Sequence, residues 1–194
     1  MDIVISTHTW GAPNRMTPDG YKKLAKLKLL GPRHNLVHGV YLSDSELKMI
    51  LDTGASVTVT PEVELQMSHG LPLTGRVRQM GGQLSLGVDV ESNISGDMFT
   101  VMRMALQNQR NLDNIALVRK TKKPAMELSI KPREVLSWAT LDSARALRLD
   151  RRIGSLAPGK QADIIMINGR DLNLFPVHNP IESVVFHANG SNVD

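Results

Sequence analysis

Residues 82–99, GQLSLGVDVESNISGDMF, decide how the chain is read. The run Leu84 to Val88 is short and apolar and stops on Asp89. A polar turn follows, and Asp97 then stands before an apolar, helix-forming stretch that opens MFTVMRMAL. A strand delivering a carboxylate into the loop ahead of a helix is a placement used for chemistry more often than for packing. Two earlier runs repeat the device, because IVIST (residues 3–7) leads to His8 and NLVH ends on His38.

Working outward, the punctuation between these runs predicts helices. Thr17 is a candidate cap, Pro18 suits a first helical position, and Leu24, Leu27 and Leu30 share one face, which predicts a helix from Thr17 until Gly31-Pro32 stops it. Ser43 and Glu46 form a capping box for a helix over 43–53, with Gly54 as its C-terminal cap. ASVTVT (55–60) is a β-branched strand halted by Pro61, and the polar stretch 61–70, with Glu62, Glu64 and His69, reads as a loop. A helix is expected over 73–80, a strand over 83–89 and a helix from Asp97 to about Gln109. Four βα units in series predict right-handed crossovers and a parallel sheet, in which functional groups gather at the carboxyl ends of the strands. His8, His38 and Asp89 all fall at such ends, and three ionisable groups in equivalent places favour a site over three unrelated structural residues.

Beyond Gln109 the pattern changes. Residues 110–128 read as a basic connection, then SIKPREVLSWAT (129–140) and TLDSARAL (140–147) as two helices with Ser129 and Thr140 as candidate caps and Trp138 and Leu141 in the core. From about Arg151 the turns Pro158-Gly159 and Asn168-Gly169 flank an expected strand ADIIMI (162–167), and SVVFHA (183–188) is expected as another. A domain boundary near Arg151 divides the chain into 1–150 and 151–194.

Composition narrows the chemistry. With 194 residues, 41% hydrophobic and 22% charged, the chain has the make-up of an ordinary globular protein, and with only 4% aromatics its core must rest on aliphatic residues and the ten methionines. The net charge of +4 is gathered partly in Arg119, Lys120, Lys122, Lys123, Lys131 and Arg133. No aromatic residue interleaves with these bases, so they read as a solvated loop and no nucleic-acid partner is expected. There is no cysteine, which removes disulfides, thiolate metal ligands and a thiol nucleophile, so any metal must sit on histidine and carboxylate. No apolar run approaches the ~20 residues of a membrane span and MDIVISTHTW lacks a basic leader, so the expected location is the cytoplasm, with no membrane partner. Homo-oligomer formation is left open.

The pieces HGVYLSDSEL, SLGVDVESNISGDMF and GSLAPGKQAD, in this order, resemble the amidohydrolase superfamily, in particular its cytosine deaminase-like branch of aminohydrolases and chlorohydrolases. The resemblance implies an α/β fold, the C-terminal half of a (β/α)8 TIM barrel (about strands 5–8) in residues 1–150, followed by part of a small β-sandwich in 151–194. It implies a divalent metal, zinc or iron, with His8 as the fifth-strand metal ligand, Asp89 as the eighth-strand ligand and proton acceptor, and His38 as the sixth-strand histidine facing the water and substrate. The activity implied is hydrolysis of a non-peptide C–N bond, deaminating a purine-, pterin- or triazine-like heterocycle, with a cyclic-amide or chlorohydrolase reaction as the alternative on the same scaffold.

Two departures from the family pattern shape these expectations. The HxH pair and strands one to four are missing, so the chain is expected to be part of a longer protein, the other outcome being an inactive remnant or interaction module. Where many relatives carry a glutamate three residues after the fifth-strand histidine, this chain has Gly11. Glu64, on the loop after the seventh strand, is the candidate catalytic acid in its place, and Glu62 is expected to be a solvated loop carboxylate. His69 is expected on a surface loop, with a substrate contact as the alternative, and His34, His178 and His187 as structural or exposed.

Overall fold

Four short strands form one parallel sheet in the order β1 (Ile5–Thr9), β2 (His34–His38), β3 (Ser56–Val59) and β4 (Gln83–Leu86), so sequence neighbours are spatial neighbours throughout. The computed structural model describes residues 3–9, 17 and 19–194. Helices α1 (Gly20–Lys26), α2 (Asp44–Asp52), α3 (Pro61–Gln66) and α4 (Thr74–Gln79) fill the crossovers, and α5 (Met98–Thr121), α6 (Pro132–Ala139), α7 (Leu141–Ala146) and α8 (Pro180–Phe186) follow β4. The register sets His8 beside Val37 and Thr9 beside His38, which levels the carboxyl ends of β1 and β2.

The period of two along each strand separates the sheet's faces. Leu36, Val57, Val59, Leu84 and Leu86 enter the core with Leu47 and Ile50 of α2, Val77 of α4, Val101, Met102 and Leu106 of α5, and Val135 and Trp138 of α6. The alternate residues form a polar ladder. Asn35 Nδ2 donates to Ser6 Oγ at 3.1 Å, Asn35 Oδ1 accepts from Ser56 Oγ at 2.9 Å and from Thr58 Oγ1 at 3.0 Å, and Thr58 and Ser85 share a hydroxyl hydrogen bond of 2.7 Å. Since Asn35, Ser56 and Ser85 are buried, this mutual satisfaction is what makes a hydroxyl-rich face tolerable.

The α2 expectation is met in detail: Ser43 Oγ accepts from Glu46 N, Ser43 N donates to Glu46 Oε2 at 3.0 Å, and Gly54 follows the cap at φ 84. Elsewhere the boundaries move. β1 runs two residues later than IVIST and contains His8 rather than preceding it. α1 starts at Gly20 behind Asp19, not at Thr17, and ends at Lys26, with Lys28 at φ 57 turning the chain away before Leu30; Pro18 lies outside the described residues, as do Pro13 and Asn14. Residues 61–66 are helix rather than loop, because Pro61 does not only end β3 but also occupies the first helical position, with Glu62 and Glu64 in the first turn.

Larger corrections come after Gln109. The basic connection expected over 110–128 is helix as far as Thr121: α5 is 24 residues long, contains no Gly or Pro, and ends at Lys122 in the left-handed region. Ser129 does not cap α6 but bonds Asp113, while Lys131 N donates to Glu134 Oε2 at 3.0 Å. Thr140 stands at the N-cap of α7, yet its hydroxyl bonds back to Leu136 O. ADIIMI is not a strand. Ile164, Ile165 and Met166 are exposed and the segment's one bridge among the described residues joins Ile167 to Val193, so β propensity without a neighbouring backbone yields no ladder. SVVFHA lies largely in a helix, α8, because Asn179 Oδ1 accepts from Ile181 N and Glu182 N and Pro180 takes the first position, a start signal that outweighs the β-branched pair. Trp138 is core as expected, whereas Leu141 is half-buried. Val185 and Ala188 join the same apolar cluster as α5 and α6.

The two rims of the sheet differ. At β4, the Ser143 hydroxyl of α7 accepts from Leu86 N at 3.4 Å and lies 3.5 Å from Leu86 O, covering backbone groups that no further strand pairs among the described residues. At β1, Ile3 and Ile5 are more than half exposed and α1 contributes no buried residue.

Candidate active site

His8, His38 and Asp89 meet at the carboxyl ends of the strands. One ligand atom from each lies within 4.8 Å of the others. His8 Nδ1 is 4.0 Å from Asp89 Oδ1 and His38 Nε2 is 3.7 Å from Asp89 Oδ2, separations beyond a direct hydrogen bond, so the lone pairs converge on a shared space rather than on each other. The three expected strand-end groups are therefore brought together.

Local backbone explains the aim of two of them. β4 ends at Leu86, and Gly87 N still bonds Val59 O at 3.0 Å before the chain turns at Asp89 with φ 76. The backbone of Asp89 faces solvent while its side chain is only 12% exposed, so the carboxylate points inward. His38 closes β2 at φ 69 and Gly39 follows at φ 75. Left-handed non-glycine residues carry a conformational cost and cluster at functional sites. A Cβ at Gly39 would come within 2.9 Å of Leu42 Cδ1 and 3.2 Å of Leu73 Cδ1, so only glycine turns the chain there.

His38 is buried and held from behind. Its Nδ1 is 3.0 Å from Thr60 Oγ1 and 3.2 Å from Glu64 Oε1, which leaves Nε2 on the Asp89 side. Glu64 does not open on the mouth; its side chain is fully enclosed, and its Oε2 has no partner among the described residues. Glu62 is not solvated either. It accepts from Ser95 N at 2.9 Å and Ser95 Oγ at 2.7 Å, tying the loop after β4 to α3, and Gln66 bonds Asn93 O beside it. His69 is half-buried, with its ring 5.9 Å from that of His38, so it borders the site rather than lying on a distant surface loop.

The remaining histidines lie elsewhere. His34 bonds Thr7 at 3.0 Å at the amino end of β2, where burial lowers its pKa, and it lines a cavity of 470 Å³ with Ile5, Leu29 and Arg148, at the opposite end of the strands from the mouth. His178 and His187 are exposed. Gly11, the position where the family glutamate is replaced, is outside the described residues. Sequence reasoning missed Thr60 and the contact of Glu64 with His38. The available signal was Thr60-Pro61, a hydroxyl residue at a strand end followed by a helix-starting proline, which puts residue 64 one turn along a helix.

The donor set suits a divalent metal. Two imidazoles and a carboxylate, without a lysine or arginine among them, are the nitrogen and oxygen ligands that zinc and its neighbours accept, and the strand-end geometry points their donor atoms at one space. Among the described residues no helix is long and apolar enough to cross a membrane.

Known proteins share both sequence and fold with this chain. The model of the amidohydrolase family matches residues 6–194. The 5'-deoxyadenosine deaminase of Methanothermobacter thermautotrophicus is 37% identical over 180 residues, 92% of this chain and 39% of that protein. The guanine deaminase of Rattus norvegicus is 34% identical over 155 residues, 78% of this chain and 32% of that protein. Among solved structures, an adenosine deaminase from Xanthomonas campestris with bound zinc superposes with a TM-score of 0.82 at 26% identity, over 99% of this chain and 43% of its own. A zinc complex of atrazine chlorohydrolase from Arthrobacter aurescens shares the fold, with a TM-score of 0.81 at 20% identity over 100% of this chain and 42% of its own. The chain thus spans about two fifths of the length of the curated relatives it matches.

Proposed function

The chain belongs to the amidohydrolase family, and on that premise we propose that it carries part of the active site of a metal-dependent hydrolase that deaminates an amino-purine. The observation that supports this reading most is the convergence of His8, His38 and Asp89 on one space at the carboxyl ends of neighbouring parallel strands. The purine class rests on the curated relatives, whose names describe deaminases of 5'-deoxyadenosine, of 5-methylthioadenosine and S-adenosylhomocysteine, and of guanine.

His8 and Asp89 would hold the metal, and zinc is the ion we assign, on the imidazole-carboxylate donor set and the zinc-bound neighbours. Such an ion supplies Lewis-acid activation of a water nucleophile. Asp89 then has the position to take a proton from the attacking water and return it to the departing nitrogen. His38 presents Nε2 to the same space, where its lone pair accepts a hydrogen bond from the attacking water and orients it toward the ring carbon. The carbon–nitrogen bond breaks, ammonia leaves and a carbonyl remains on the ring.

The test is ammonia release from a panel of amino-purines and their nucleosides, run on the protein and on Asp89→Asn. Turnover of at least one substrate, reduced by roughly 100-fold or more in the variant, is the expected result. No release from any panel member, or unchanged release in the variant, contradicts the reading.

A further inference from the structure

Glu64 is the most anomalous side chain of the described core. It is fully enclosed, beside Val63 and among residues that are themselves buried, and one of its two oxygens has no partner among the described residues. Burying a carboxylate with an unsatisfied oxygen costs the fold free energy, and an apolar residue of similar size would fill the space without that cost. Glu62, two positions earlier on the same helix, shows the ordinary solution, with both its oxygens hydrogen-bonded by Ser95. Glu64 instead spends its one contact on His38 Nδ1, at 3.2 Å.

An ionised carboxylate only accepts hydrogen bonds, so in that form Glu64 takes its contact from a proton on Nδ1. With that proton fixed, a neutral His38 ring has its lone pair on Nε2, the nitrogen that stands 3.7 Å from Asp89 Oδ2 and looks into the mouth. Thr60 Oγ1, at 3.0 Å from the same Nδ1, completes the grip from the end of β3. A carboxylate behind an imidazole is a recurrent way of fixing which nitrogen is free and how the ring is turned.

We propose that Glu64 is a positioning residue, its buried carboxylate accepting the Nδ1 proton of His38 and thereby presenting Nε2 to the mouth as an unprotonated donor. Glu64 acts through His38 and does not itself reach the reacting atoms, so it is not the acid that replaces the family glutamate. The inference deepens the proposed function and rests on it for its consequence, but the state of the ring is a property of this chain alone.

Ring nitrogen shifts of His38 from ¹⁵N NMR decide it, recorded on the full chain above the ordinary histidine titration range. The assignment comes from the signals lost in His38→Gln. The expected spectrum shows Nδ1 protonated and Nε2 bare. Glu64→Gln keeps that tautomer because its amide oxygen still accepts, whereas Glu64→Leu redistributes the ring toward Nε2–H. In turnover, Glu64→Leu lowers kcat by roughly 10–100-fold with KM little changed, and Glu64→Gln recovers most of it. A wild-type ring protonated at Nε2 overturns the proposal without any variant, and so does a Glu64→Leu ring indistinguishable from wild type. If no amino-purine is turned over, the proposed function falls while the nitrogen shifts still settle the role of Glu64.

Discussion

His8 and His38 face each other with ring centroids 5.1 Å apart, yet they stand on ground of opposite kinds. His38 ends a strand whose five residues are all buried, and two side chains hold its ring from behind. His8 lies on the edge strand with a side chain 62% exposed, and the neighbouring helix α1 contributes only partly buried residues to the core. The difference teaches that the site has a pre-organised flank, built on β2, β3 and α3, and an open flank on β1.

The strongest way to break this comparison is to attack the core behind the firm flank. Ile50 is fully buried in α2, so Ile50→Ala should cost about 2–5 kcal/mol in urea denaturation, while Leu24→Ala in α1 should cost less than about 1 kcal/mol. Equal losses would mean that β1 and α1 are packed as tightly as the rest. Next in size is Asn35→Ala, which removes the hub linking Ser6 on β1 to Ser56 and Thr58 on β3. A destabilisation of about 1–3 kcal/mol is expected, chiefly from the buried Ser56 hydroxyl left without its acceptor, read from the same urea titration. A loss near zero would show that the polar ladder does not couple the flanks.

Hydrogen exchange sharpens the contrast without mutation. Amides of β1, paired on one side only, should exchange at least tenfold faster than those of β2, which lies between two strands. Equal protection would erase the distinction between flanks.

The smallest effect concerns Glu134, which ties α6 to α4 in the packed region. Burial pushes its carboxyl up, but the hydrogen bonds from Arg78 and from the Lys131 backbone, with the charges of Arg78 and Lys131, outweigh it and hold the pKa below the ordinary range. A depressed folded-state pKa contributes stability that is present above the unfolded value and is lost as pH falls through the folded one. Arg78→Met should therefore flatten the acid limb of the stability curve by a few tenths of a kcal/mol, since the pair is partly exposed.

Much of this was legible in the residues themselves. The alternation of apolar runs with capped helices foretold the four strands and their parallel order, and strand-end position alone picked out His8, His38 and Asp89. What escaped was whatever depends on a neighbour far along the chain. Glu64 meets His38 across 26 positions, and its burial follows only once Pro61 is seen to start a helix. Glu62 looked solvated because its partner, Ser95, lies on the loop after the next strand. The apolar run at 162–167 has strand propensity without a partner strand, and SVVFHA has the same propensity overruled by Asn179 and Pro180. Basic residues near the end of α5 suggested a loop, although nothing before Pro124 breaks the helix.

That His8 and Asp89 together hold a divalent metal is tested most directly by titrating the metal-free chain with cobalt(II) and following its ligand-field absorption. The expected result is a saturable spectrum in the wild type, weakened by roughly 10–100-fold in affinity or lost in His8→Ala and in Asp89→Ala, and unchanged in His178→Ala on the exposed surface. Cobalt binding that is the same in all four proteins would contradict it.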